Sequence, residues 1–203
     1  MPIICHRVNT RAALNALPTK YGVEIDIRHD NRSGRLYLHH DPGDGEDLEA
    51  YLEAYRHRFI IFNIKESGIE EECRRLAKQQ GIETSSYFLL DVEFPYLYQA
   101  SRRGVREIAV RYSEDEPLAQ VSLYKQRVDW VWIDTMTRLP LDHNVITELA
   151  PLKPCLVCPE RWGRPEDIPR YVSKLQQLGV TLDAVMTGKS YLETWESSGV
   201  IRP

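Results

Sequence analysis

Short apolar runs alternate along this chain with longer stretches in which apolar residues recur every three or four positions. The short runs predict strands at 3–8, 22–28, 59–65, 86–92, 107–112, 130–134, 154–158 and 184–187. The periodic stretches predict helices at 10–17, 46–57, 68–80, 93–103, 116–126, 143–149, 165–178 and 190–197. Leu48, Tyr51, Leu52 and Tyr55 show the helical spacing, Pro18 stops the first helix, and Gly81, Gly104 and Gly179 end later ones. An extra extended piece at 35–40 follows a turn at Ser33-Gly34. Regular strand–helix alternation implies a parallel sheet with crossover helices. Eight such units imply an α/β fold closed as a (β/α)8 TIM barrel, compact and lean in its loops at 203 residues. An open doubly wound sheet is the alternative. No glycine-rich fingerprint follows any predicted strand, which counts against a dinucleotide-binding version. With no linker, repeat or low-complexity segment in view, one domain over 1–203 is expected.

Composition narrows the class. Hydrophobic content of 42% and charged content of 28% are ordinary for a soluble globular protein. A net charge of −4 without a basic block gives no reason to expect nucleic acid. No apolar stretch approaches membrane-span length, and the amino terminus shows no basic region followed by a long apolar run. No transmembrane segment or signal peptide is therefore expected, and a cytoplasmic location is. Cys155-x-x-Cys158 lacks the second pair that a structural zinc site needs, so buried thiols are expected.

The candidate chemistry begins at residues 21–41. Glu24 and Asp26 sit two apart among Val23, Ile25 and Ile27. On a strand both carboxylates share one face while the apolar side chains take the other. The bland reading is a half-exposed antiparallel strand with a polar outer face. The alternative is that the two anions hold a divalent cation, which removes the cost of placing them side by side. In a barrel, functional groups collect at the carboxyl ends of strands. His6, Glu24, Asp26, His40-Asp41, Asn63, Lys65, Asp91, Arg111, Tyr112, Asp134, Glu160, Arg161 and Thr187 all fall at or near predicted strand ends. Two histidines, two carboxylates and a lysine at one mouth suggest phosphate ester chemistry. The metal would neutralise a phosphate oxygen, one histidine would take a proton, and another would give one. Arg7 and Lys65 are the natural substrate-binding partners of a phosphate.

These motifs resemble a known family. His6-Arg7 with Asn9-Thr10, Glu24-Ile25-Asp26, and Leu36-Tyr37-Leu38-His39-His40-Asp41 are similar to the signature of the glycerophosphodiester phosphodiesterases. That family lies within the phosphatidylinositol-phospholipase-C-like superfamily of barrels. The resemblance implies His6 and His40 as the acid/base pair, with His40 favoured over His39 by its place before Asp41. It implies Glu24 and Asp26 as ligands of a divalent metal, Mg2+ or Ca2+, and a small phosphodiester substrate of lipid metabolism. Gly179–Thr187 resembles the family's last strand with insertions. Three departures stand out. Asn63-Ile64-Lys65 replaces Glu-x-Lys, which makes Asn63 the third metal position and leaves Glu66, Asp91 or Asp134 to complete the shell. The family's insertion after His-Asp is nearly absent. Leu156–Trp162 replaces a Trp-Thr-x-Asn stretch on the seventh strand. The expected function is a metal-dependent phosphodiesterase. A catalytically silent barrel that binds a phosphorylated ligand is the alternative, and an aldolase- or isomerase-type barrel with Lys65 as Schiff-base amine is a further one.

Overall fold

The computed structural model describes residues 2–202. Among the described residues ten strands form one sheet: β1 (Ile3–Cys5), β2 (Gly22–His29), β3 (Leu36–Leu38), β4 (Glu46–Asp47), β5 (Ile60–Ile64), β6 (Tyr87–Leu90), β7 (Ala109–Tyr112), β8 (Trp130–Ile133), β9 (Lys153–Val157) and β10 (Ala184–Thr187). Eight helices are interleaved with them: α1 (Arg11–Asn15), α2 (Leu48–Ala54), α3 (Glu70–Gln79), α4 (Phe94–Arg102), α5 (Leu118–Tyr124), α6 (His143–Leu149), α7 (Ile168–Gln177) and α8 (Leu192–Glu196). Parallel pairing runs β7–β8–β9–β10–β1–β2–β5–β6. The ring closes between β6 and β7 through the parallel bridge of Leu89 with Ile108, where the Leu89 N–H donates to the Glu107 carbonyl at 3.0 Å. The fold is a closed (β/α)8 barrel.

The alternation of side chains sorts the residues of each barrel strand. Val23, Ile25 and Ile27 of β2 join the apolar layer between sheet and helices, with Leu14, Tyr51 and Phe62. A second cluster, including Ile4, Phe59, Ile61, Phe88, Trp130 and Cys155, fills the barrel interior. Phe88 and Trp130 stack with ring centroids 4.9 Å apart, and Phe59 lies 5.1 Å from Trp130. The even positions of β2 face this interior, so Glu24 and Asp26 sit above its apolar floor, at the carboxyl ends of the strands.

The extended piece is a hairpin grafted onto β2. β1 stops at Cys5, and the upper half of β2 takes β3 as an antiparallel partner instead, with Ile27 opposite Leu38 and His29 opposite Leu36. One predicted helix is corrected here. The stretch 46–57 is helical only over Leu48–Ala54, because Glu46 and Asp47 first pair with Leu38 and Tyr37 and cover the open edge of β3. Asp47 then caps the helix, its side chain accepting from the Ala50 N–H at 2.9 Å. From Asp41 this short link leads straight to β5, with no inserted subdomain. The stretches 165–178 and 190–197 each open with a 3-10 turn before α7 and α8. The four cysteines are buried free thiols, Cys155 and Cys158 as expected. Among the described residues no helix is long and apolar enough to cross a membrane.

Candidate functional site

The carboxyl end of the barrel opens into a cleft of about 280 Å³, lined by His6, Arg7, Glu24 and Asn63 on one side and by Asp91, Arg111, Trp132, Asp134, Arg161 and Trp162 on the other. Each group is placed by its strand. β5 pairs with β2 so that Asn63 lies beside Asp26. His6 follows the last residue of β1, and its N–H donates to the Thr187 carbonyl at the end of β10. The next residue, Arg7, adopts a left-handed backbone with φ of 54°. A side chain other than glycine rarely accepts that conformation, and here it aims the Arg7 N–H at Oε2 of Glu24, 2.7 Å away.

Glu24 and Asp26 are both buried. Nδ2 of Asn63 donates to Oε1 of Glu24 at 2.8 Å and to Oδ1 of Asp26 at 3.2 Å. Lys65 Nζ lies 3.2 Å from Oδ1 of Asp26, and Arg7 Nε lies 3.8 Å from Oδ2. The Asn9 side chain completes the frame, donating Nδ2 to Oδ2 of Asp26 and accepting the Asp26 N–H at Oδ1, both at 2.9 Å. Asn9 belongs to the His6–Arg7/Asn9–Thr10 motif, and its role depends on the fold of the loop after β1, which no local pattern encodes. Burial, reinforced by the charge of Asp26, pushes the Glu24 carboxyl up to about 7. His6 Nε2 lies 3.8 Å from Glu24 Oε2. Burial first, then the charges of Arg161 and Arg7, pull the His6 pKa down to about 3, so its imidazole is neutral near pH 7.

The donor set fits a hard cation. Oδ1 of Asn63 is buried with no hydrogen-bond partner, beside a carboxylate whose charge is incompletely compensated. Rotating the amide by a half turn would exchange its nitrogen and oxygen, and three oxygen-bearing groups would then converge. Among the described residues no three His, Cys, Asp or Glu side chains are arranged to hold a metal, so a cation here would need the Asn63 amide as its third donor. The other expected contributors are engaged elsewhere. Glu66 takes a hydrogen bond from Arg28 Nη1 at 2.9 Å. Asp91 and Asp134 take Arg111 Nη1 and Nη2 at 2.8 and 2.9 Å.

His40 stands apart from the cleft-lining residues. Its Nδ1 lies 3.0 Å from Oδ1 of Asp41, and its carbonyl accepts both Nε and Nη2 of Arg28. His39 continues the β2–β3 ladder: its N–H donates to the Asp26 carbonyl at 3.1 Å, which puts His39 directly across from Asp26. Its Nδ1 lies 2.6 Å from the Asp41 carbonyl oxygen. The structure thus brings His6, Arg7, Glu24, Asp26, Asn63 and Lys65 into one cluster and leaves both hairpin histidines at its margin.

The chain is a (β/α)8 barrel with an acidic, histidine-bearing mouth, and solved structures match its fold. A protein of Agrobacterium tumefaciens str. C58 described as a glycerophosphoryl diester phosphodiesterase superposes with a TM-score of 0.68 at 13% identity, covering 97% of each chain. A glycerophosphodiester phosphodiesterase from the same strain gives 0.63 at 16% identity, covering 92% of this chain and 96% of that one. A tryptophan synthase α-subunit of Pyrococcus furiosus gives 0.56 at 11% identity over 98% of this chain and 92% of its own. At these identities the likeness establishes the shared barrel. No protein-family profile matches the sequence, and no curated protein matches it.

Proposed function

We propose that this chain is a metal-dependent phosphodiesterase acting on a glycerophosphodiester or a related small phosphodiester. The observation that carries the reading is the buried Glu24–Asp26 pair, bridged by Asn63 and set beside a neutral His6 in the barrel mouth. Glu24, Asp26 and Asn63 would hold a divalent cation such as Mg2+ or Ca2+, whose contribution is polarisation of a phosphate oxygen. Nε2 of His6 takes the proton of the attacking hydroxyl. Lys65 and Arg7 offer positive charge to the phosphate, drawn from their present contacts with Asp26. His40, its Nδ1 beside Oδ1 of Asp41, is assigned the proton for the leaving oxygen. Two of the closer structural neighbours bear phosphodiesterase names, which agrees with this reading. The test is hydrolysis of a panel of phosphodiesters by purified protein in magnesium, manganese, calcium or chelator. Turnover that chelator removes supports the proposal; no turnover on any diester in any metal sinks it.

A second reading has its own observation. The carboxylates are already partnered by Asn63, Lys65, Asn9 and Arg7, so the cluster holds together as a polar network without an ion. That arrangement favours a silent barrel that binds a phosphorylated ligand. A Schiff-base role for Lys65 has less support, since its ammonium is ion-paired with Asp26.

A further inference from the structure

The side of the cleft facing Glu24 carries one buried donor without a partner, on Trp132, and one exposed guanidinium, on Arg161, with no protein partner among the described residues. Trp132 is 4% exposed, and its indole N–H is buried without a hydrogen-bond partner. A buried, unpaired donor costs on the order of 1–3 kcal/mol unless something satisfies it. Arg161 lines the same cleft, and its guanidinium makes no hydrogen bond or ion pair among the described residues. The neighbouring cations are committed: Arg7 and Lys65 to Asp26, and Arg111 to Asp91, Asp134 and Glu116.

The backbone at Arg161 is also held in place. It sits in the 3-10 turn Pro159–Trp162 that follows β9. On one side of it, Oε1 of Glu160 accepts from the Gly188 N–H and from Thr187 Oγ1, tying the turn to the end of β10. A Cβ on Gly188 would lie 3.1 Å from that oxygen, so glycine permits the approach. On the other side, Trp162 Nε1 donates to Oδ1 of Asp134 at 2.8 Å. A turn pinned on both flanks fixes the backbone from which its middle side chain extends into the cleft. Phe88 packs edge-on against Trp132 at 6.4 Å and fixes that ring from below.

We propose that Arg161 and the Trp132 indole N–H form an anion-binding subsite in the barrel mouth, facing Glu24, that takes the negatively charged oxygens of the ligand. Its part in turnover rests on the phosphodiesterase reading; its binding of an anion does not. The oxygens belong either to the reacting phosphoryl group or to an acidic group on the leaving alcohol, and both present the same chemistry to a guanidinium and an N–H.

Calorimetry with inorganic phosphate, in chelator, tests the subsite on wild type, Arg161→Gln, Arg161→Lys and Trp132→Phe, with thermal melts confirming that each is folded. Arg161→Gln is expected to weaken phosphate about tenfold or more, Arg161→Lys less, and Trp132→Phe several-fold. Lys78→Gln, on the far face of α3, is expected to change nothing. Equal affinity in wild type, Arg161→Gln and Trp132→Phe overturns the proposal, and so does a wild type that binds no phosphate. Kinetics on one diester with an uncharged alcohol and one whose alcohol bears a carboxylate then assign the source. A rise in KM for both substrates in Arg161→Gln places the reacting phosphoryl there, whereas a rise for the acidic one alone places the leaving group there. Phosphate binding that depends on Arg161 and Trp132 in a protein that hydrolyses no diester would retire the phosphodiesterase reading and keep the subsite.

Discussion

The side-chain amide of Asn63 donates to Oε1 of Glu24 at 2.8 Å while its own carbonyl oxygen stays buried without a partner. One side chain therefore neutralises nothing, bridges two carboxylates, and leaves an acceptor idle. Asn63→Asp is expected to destabilise the metal-free protein by about 1–3 kcal/mol, since it removes donors from buried carboxylates and adds a third anion. The same substitution is expected to tighten magnesium or calcium binding and to leave measurable hydrolysis. Denaturant unfolding in chelator and in metal, with calorimetry, measures both effects. A variant as stable as wild type in chelator, with no gain in metal affinity, would remove Asn63 from the cation site.

Glu24 makes the metal-free stability depend on pH. Its folded pKa of about 7 lies above the ordinary 4.5, so between these values the folded protein holds the extra proton. The contribution is present below about 4.5 and is lost as pH rises through 7. His6 acts in the opposite sense: its folded pKa of about 3 lies below the ordinary 6.5, so acid costs stability there. The difference between wild type and Glu24→Gln isolates the carboxylate. In chelator, Glu24→Gln is expected to gain on wild type as pH climbs from 5 to 8. A difference that stays flat over that range would mean Glu24 ionises at its ordinary pKa.

His6→Ala is expected to lower kcat/KM on the order of 10²–10⁴-fold, the usual worth of a general acid or base. His40→Ala is expected to fall in the same range, because Asp41 orients its ring, and His39→Ala to lose less. The ladder puts His39 opposite Asp26, so the comparison is sharp. A dead His39→Ala with an active His40→Ala would hand the acid role to the residue across from Asp26.

Phe88 touches the rings that fill the barrel floor. Phe88→Ala is expected to cost about 3–5 kcal/mol in denaturant unfolding, the usual range for an emptied aromatic core position. Leu123→Ala, at a side chain 73% exposed, is expected to stay within about 0.5 kcal/mol of wild type. A small loss at Phe88 would mean that the interior rings do not carry the barrel.

The chain's own periodicity determined the barrel. A strand buried on both faces and a helix buried on one write different spacings, and eight repeats of that contrast leave few ways to close a sheet. His143–Leu149 and Ala184–Thr187 matched their predicted bounds for that reason. The i, i+2 rule likewise put Glu24 and Asp26 on one face, because the period of a strand is a local property. Tertiary structure decided the rest. Whether Asp91 and Asp134 serve a metal or Arg111 depends on how β6, β7 and β8 align, and that register is a property of pairs of strands. Asn9 reaches Asp26 only because the loop after β1 folds back over β2. Trp132 reads as one more apolar strand residue until the barrel closes and leaves its N–H buried beside the cleft with no acceptor. Hydrophobic periodicity is written in neighbours along the chain. The partner of a buried polar atom comes from residues distant in sequence, and only the folded chain brings them together.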